Sequence, residues 1–304
     1  MDARQLEYFL AIVDHGGFGR AAEHLLIAQP SLSQAIAQLE RELGVLLFHR
    51  TGRGVVVSDA GRELAGHARQ VMRDLSTARA AMESMKGLRR GRVELVTMPS
   101  PGIEPLGALT RAFSERHPGI TLSAEAAFTP DEVAQKVRDG SCELGLVGSA
   151  EWTAPPGLDV LPLGDQAFIL VGAAGGPFPA GDPVPRTALA GARMIVSPRG
   201  SRMRQIVDEI MASGTDLHIV AEVAHRTSIL PLVLREVGLA VLPAAWAPLA
   251  RSAGARVATL DPPAFLRISL LSRSAPLSPA AAAFLGTARA YTPPDAGLLP
   301  ELEA

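Results

Sequence analysis

Apolar positions recur at helical spacing through the first third of the chain and mostly at strand spacing, between shorter helices, beyond it. Leu6, Phe9, Leu10 and Val13 mark one face of a helix over about 4–13, ended by His15-Gly16-Gly17. Ala21, Ala22, Leu25 and Leu26 form the inner face of a short second helix, and the small Ala-Ala pair lets a neighbour cross closely. Leu32, Ile36, Leu39 and Leu43 stripe a third helix. Its other face carries Ser33, Gln34, Ala37, Gln38 and Arg41, with Pro30 in its first turn and Gly44 at its end. Only a few residues near Ile27-Ala28 separate the second and third helices, which forces a tight turn. Phe48-His49-Arg50 and Val55-Val56-Val57 then pair as a hairpin around a Gly-containing turn. The sum is a winged helix-turn-helix over 1–58, a device for setting one helix in a DNA major groove.

Ser58 suits the N-cap of a long helix running to about Gly87. Leu64, Ala68, Val71, Leu75, Ala78, Met82 and Met85 repeat there as a heptad seam. Such a helix either packs on its own domain or pairs with a second copy. One narrow stripe over so long an element favours pairing, so 59–88 reads as a linker and dimerisation helix, with Leu64, Val71, Leu75 and Met82 at the interface. Leu88-Arg89-Arg90-Gly91 is the hinge that follows.

From residue 92 the pattern alternates. Strands are predicted over 93–98, 120–126, 144–147, 168–171, 194–196, 218–223, 239–242 and 265–271, and helices over 106–116, 130–139, 201–212, 228–236 and 279–290. Alternation implies parallel sheets. Two such sets predict two lobes with a cleft between them inside an α/β domain over 89–292: a first lobe of about 92–162 and 265–292, a second of about 163–264, and a loose tail over 293–304.

Residues 1–58 resemble the DNA-binding domain of LysR-type transcriptional regulators. The pattern is Leu6-x-x-Phe9, Gly17-Phe18-x-x-Ala21-Ala22, Gln29-Pro30-Ser31-Leu32-Ser33, Leu39-Glu40-x-Glu42-Leu43-Gly44 and Leu47-Phe48-x-Arg50, without gaps. Gly19 and Ala28 depart from it, standing where the family usually has Ser or Thr near helix starts. The resemblance implies that the linker helix pairs two subunits, so that two recognition helices reach major-groove faces about 34 Å apart. It also implies a homodimer or homotetramer, and a second domain similar to periplasmic binding proteins of type 2 that binds a small-molecule effector. RNA polymerase becomes a candidate partner beside promoter or operator DNA.

Net charge is −2, which alone disfavours a nucleic-acid binder. Its distribution matters more: residues 1–92 hold 13 Lys and Arg against 10 Asp and Glu, the remainder 16 against 21. So small an excess leaves phosphate affinity to placement and to pairing of copies. One cysteine, Cys142, excludes an internal disulfide and fits a reducing cytoplasm. The most apolar stretch, 228–250, is broken by Pro231, Arg235, Glu236, Pro243 and Pro248, which speaks against a membrane span.

Candidate chemistry is that of recognition. Gln29, Pro30, Ser31, Ser33 and Gln34 open the third helix, where short polar side chains can reach base edges, and Arg50 and Arg53 flank the hairpin tip, where they suit phosphate or minor-groove contact. Effector contacts carried over from the resemblance fall on Ser100, Ser201, Arg202, Thr227 and Ser228, with Thr129 as a further site. All lie where strands end and helices begin, which favours a carboxylate or other small anion. Each hydroxyl could instead merely cap its own helix. Thr227→Val is expected to abolish the response to ligand and leave DNA binding intact. No cofactor, metal site or catalytic set is expected, since the hydrolase, zinc and phosphate-loop motifs are missing and His15, His24, His49 and His67 lack ligand spacing. Gly17-x-Gly19-x-x-Ala22, with Glu40 further on, imitates a dinucleotide fingerprint, yet that motif needs a strand where Leu6–Val13 has helical spacing. The effector, the operator and target genes, and the sign of regulation are not legible. The alternative reading is a small-molecule sensor whose helical N-terminus serves only assembly.

Overall fold

The computed structural model describes residues 1–51, 54–84, 91–151, 154–274 and 276–293. Three helices open the chain: α1 (Ala3–His15), α2 (Phe18–Leu25) and α3 (Gln29–Leu43). Asp2 and Gln5 form a reciprocal capping box on α1, and Gly16, left-handed at φ 65°, ends it. Leu6, Phe9, Ile12, Ala21, Ala22, Leu32, Ile36 and Leu39 are buried in one core, each large side chain worth roughly 1.5–3 kcal/mol of transfer free energy. Leu43, expected to extend the stripe, is exposed, because the core ends one turn earlier. Leu26 is also outside: it ends α2 in a left-handed conformation (φ 54°) with its side chain 92% exposed, which turns the chain into α3 instead of continuing the inner face. Neither Gly17 nor Ala28 supplies a side-chain cap to the helix it precedes.

β1 (Phe48–Thr51) and β2 (Gly54–Val57) pair antiparallel as the wing. The Phe48 ring meets Phe9 and Phe18 at centroid distances of 5.4 and 5.6 Å, anchoring the wing to the helical core. Ser58 caps α4 (Asp59–Ser84): its hydroxyl accepts from the Gly61 amide at 2.9 Å and donates to the Leu46 carbonyl at 2.7 Å. Met85 and the hinge residues Leu88, Arg89 and Arg90 lie outside the described residues.

The second domain follows as β3 (Gly91–Thr97), α5 (Leu106–Arg116), β4 (Ile120–Ala126), α6 (Pro130–Arg138), β5 (Leu144–Ser149) and β6 (Leu158–Gly172). Next come β7 (Val184–Pro185), β8 (Ala192–Val196), α7 (Arg202–Ala212), β9 (Leu217–Glu222), α8 (Ile229–Leu234) and β10 (Leu239–Pro243). α9 (Ala247–Ser252), β11 (Arg256–Asp261), β12 (Phe265–Arg273) and α10 (Pro279–Arg289) complete it. The order β4-β3-β5-β12-β6-β10-β8-β9 runs through both lobes, with β11 on the far side of β6.

The expectation of parallel sheets needs correction. Pairs within each lobe, such as β3 with β4 and β5 or β8 with β9 and β10, are parallel. β6, which passes from the first lobe into the second, and β12, which returns to the first, run antiparallel to each other, and their other partners β5, β10 and β11 are antiparallel to them too. β6 is one 15-residue strand: its first part pairs with β12 and its last residues with β10 and β11, so the passage between lobes needs no loop. Gly164, at φ 124°, sits in that passage.

Candidate DNA-binding face and ligand cleft

The N-terminal end of α3 is open. Gln29, Pro30, Ser31 and Gln34 are exposed and Ser33 is half-buried, while Leu32 and Ile36 one turn apart are sealed inside. Amphipathic spacing therefore leaves the polar residues on the free side. Glu40, the acid of the apparent dinucleotide motif, faces the wing: its Oε1 accepts from the amides of Leu47 and Phe48 at 2.7 and 3.2 Å. That bond ties the base of the hairpin to the recognition helix. Arg50 stands in β1, and Arg53 lies outside the described residues.

The α4 seam divides. Leu64 packs with Ala65 and Ala68 against the N-terminal core, so it serves its own domain first. Val71, Leu75 and Met82 are exposed in the single chain, an apolar stripe with no cover. Lower on the same helix, Arg73 donates to the carbonyls of Asp139, at 3.2 Å, and Gly140, at the C-terminal end of α6. Gln70 accepts from both Arg73 and Arg273. Burial and the neighbouring Arg273 cation pull the Arg73 guanidinium down to about 10. This cluster fastens the linker helix to the first lobe.

Between the lobes lies a cavity of about 110 Å³. Ser100, Pro101 and Met98 come from the turn after β3, Pro130 from the start of α6, and Gly148–Ala150 from the end of β5. Ser201, Arg202, Met203 and Arg226 come from the second lobe. Of the six expected effector contacts, Ser100, Ser201 and Arg202 meet here. Thr129 does not line the cavity: its hydroxyl accepts from the Glu132 amide at 3.2 Å in a capping box, and only the next residue, Pro130, reaches the cleft. Thr227 and Ser228 do not line it either. They belong to a single 3₁₀ turn, Arg226–Ser228, where successive side chains diverge by about 120°, so one of the three can face inward. Arg226 does, and Thr227 is exposed. Thr227, the residue whose change to Val was expected to abolish the ligand response, thus stands outside the lining of this cavity.

Two lining groups are already engaged. Ser201 caps α7 through the Arg204 amide at 3.2 Å and lies 2.5 Å from the Ser197 hydroxyl. Arg202 binds Glu209 at 2.5 Å. Arg226 belongs to a helix-start segment, Arg226-Thr227-Ser228, that the sequence marks for a ligand, but the expected contacts fall on the two hydroxyls and not on the cation before them. Cys142 is buried, and burial pushes its thiol up to about 12, so it stays a neutral packing group.

Residues 86–293 match the family described as LysR substrate binding domain, and residues 3–62 match the bacterial regulatory helix-turn-helix proteins of the lysR family. The chain is similar to the HTH-type transcriptional regulator IlvR of Caulobacter vibrioides, 31% identical over 274 residues, which covers 86% of this chain and 89% of that one. It is similar to the HTH-type transcriptional regulator TfdS of Cupriavidus pinatubonensis, 29% identical over 297 residues, covering 95% and 98%. Its fold matches that of full-length CbnR complexed with its target DNA at a TM-score of 0.68, with 22% identity over 96% of this chain and all of that one.

Proposed function

The chain belongs to the LysR family of bacterial transcriptional regulators, and from that membership we propose how its parts divide the work. It is a DNA-binding regulator, not an enzyme, which sets aside the reading of a sensor with a purely structural N-terminus. Gln29, Ser31, Ser33 and Gln34, led by Pro30, read base edges in the major groove, and Arg50 and Arg53 hold the wing against the sugar-phosphate backbone. Val71, Leu75 and Met82 close against a second copy, with Leu64 at the base of that seam. The assembly is a homodimer or a pair of dimers. A small effector in the cleft changes how the lobes sit, and through the linker helices how the two recognition helices are spaced. The protein works in the cytoplasm on promoter DNA, in reach of RNA polymerase.

The observation that carries this reading is the exposed polar start of α3 beside a wing that Glu40 holds in place. The test is a nuclease footprint on the DNA flanking the protein's own gene at two salt concentrations. An imperfectly palindromic site that survives moderate salt is expected. Gln34→Ala should then lose roughly 1–3 kcal/mol on that site and little on random DNA. Equal loss on both would give Gln34 a backbone role and sink its part in base reading.

A further inference from the structure

Buried cations elsewhere in this fold have partners. Arg204, equally hidden, binds Asp208 at 2.8 Å and Glu222 at 2.6 Å, and Arg273 is held by Gln70. Arg226 is different. It is 9% exposed, lines the cleft, and has no hydrogen bond or ion pair among the described residues. Burial alone pulls its guanidinium below the usual arginine range. None of its nitrogens is among the sealed, unpaired atoms, so each keeps some accessible surface in a residue that lines the cavity. An unpartnered buried charge is costly unless something outside the chain completes it.

The rest of the cavity favours one sign of ligand. The first turn of the 11-residue α7 opens into it at Arg202 and Met203, where helix N-termini carry free amides and positive potential. Arg202 is held by Glu209, which Arg186 shares at 3.7 Å, and no Asp or Glu is among the described lining residues, so the net charge is positive and Arg226 is its unengaged part. The volume of about 110 Å³ is far below the roughly 300–1,000 Å³ of sites for drug-sized ligands.

We propose that Arg226 is the charge-reading residue of the cleft, and that the effector is a small oxyanion of roughly ten non-hydrogen atoms or fewer. Its carboxylate or equivalent oxygens take the guanidinium in a forked pair and complete the first turn of α7. Ser100 and Ser201 border the other side. This deepens the regulator reading, resting on it only in treating the cleft as the effector site.

The experiment titrates the full-length chain with acetate, pyruvate, succinate, benzoate, inorganic phosphate and inorganic sulfate at constant ionic strength. Heat of binding and thermal shift are read, with chloride and the neutral amide of the tightest organic binder as controls. At least one anion should bind saturably and its amide should not; a carboxylate or an inorganic ion as the tightest identifies the source of the oxyanion. Arg226→Met should weaken that anion roughly thirty-fold or more, and should raise the ligand-free melting temperature by removing an unpaired buried charge. Arg226→Gln carries the same decision if the methionine variant does not fold. Saturable binding by none of the six, equal binding of the amide, or unchanged affinity in both variants overturns the proposal. The wild-type footprint keeps the two readings apart. DNA protection without anion binding overturns this inference alone. Anion binding through Arg226 without DNA protection supports it and removes the regulator reading instead.

Discussion

Leu26 holds a left-handed backbone that Asn or Gly adopts at little cost, and it does so with its side chain almost wholly in water. Nothing in its packing repays the strain. Leu26→Asn should therefore stabilise the N-terminal domain by about 1 kcal/mol in urea unfolding; a loss of stability would mean that the leucine contacts something the single chain does not contain. A second residue-scale effect depends on pH. Burial holds the Glu104 carboxyl above its ordinary range, against the opposing hydrogen bond from Tyr291 at 2.8 Å. A raised folded value means that the native state keeps the proton longer than the unfolded chain. Stability from this group is therefore full below the unfolded value and falls as pH rises through the folded one. Glu104→Gln should flatten that fall while its amide oxygen still accepts from Tyr291. A stability profile from pH 4 to 8 with the same slope in wild type and variant would contradict the sign.

At the scale of elements, α4 does two jobs along one face. Its first turns complete the DNA-binding core through Ala65 and Ala68, and its later turns leave Val71, Leu75 and Met82 uncovered. Leu75→Glu should shift sedimentation from an assembled species to monomer and shrink the footprint to weak half-site protection. An unchanged mass would move the interface elsewhere. Heptad spacing made this helix readable in advance, and the capping hydroxyl of Ser58 marked its start. β6 was read only over 168–171, since Pro162, Gly164, Asp165 and Gln166 interrupt its apolar pattern where it passes between lobes. α9 and β11 escaped notice because Pro248 and a weak alternation hid two short elements. Within the cleft, Ser100, Ser201 and Arg202 were legible because ends of strands meet starts of helices there. The segment Arg226-Thr227-Ser228 was legible too, but not its inward residue: periodicity locates a turn, and which of three successive side chains faces inward depends on the rotation of a 3₁₀ segment that spacing does not encode.

At the scale of the molecule, the two lobes are joined by β6 and by the short link between β11 and β12. The C-terminal segment leans on the first of these joints, because a Cβ on Gly164 would stand 2.9 Å from the Pro293 ring. With φ at 124°, Gly164→Ala should cost roughly 1–3 kcal/mol, read as an earlier urea midpoint of the second domain; an unmoved midpoint would show that the joint accommodates a side chain. α6 has its own place in this geometry. Pro130 at one end borders the cleft, and the carbonyls of Asp139 and Gly140 beyond the other end receive Arg73 from the linker helix. A nine-residue helix is a stiff strut of about 13 Å, so displacement at one end reappears at the other. Struts carry thrust both ways. By whatever factor the effector alters the affinity for operator DNA, operator DNA alters the affinity for the effector. The promoter is then itself a ligand that tunes the sensor, and anion titrations with and without operator duplex should differ by that factor.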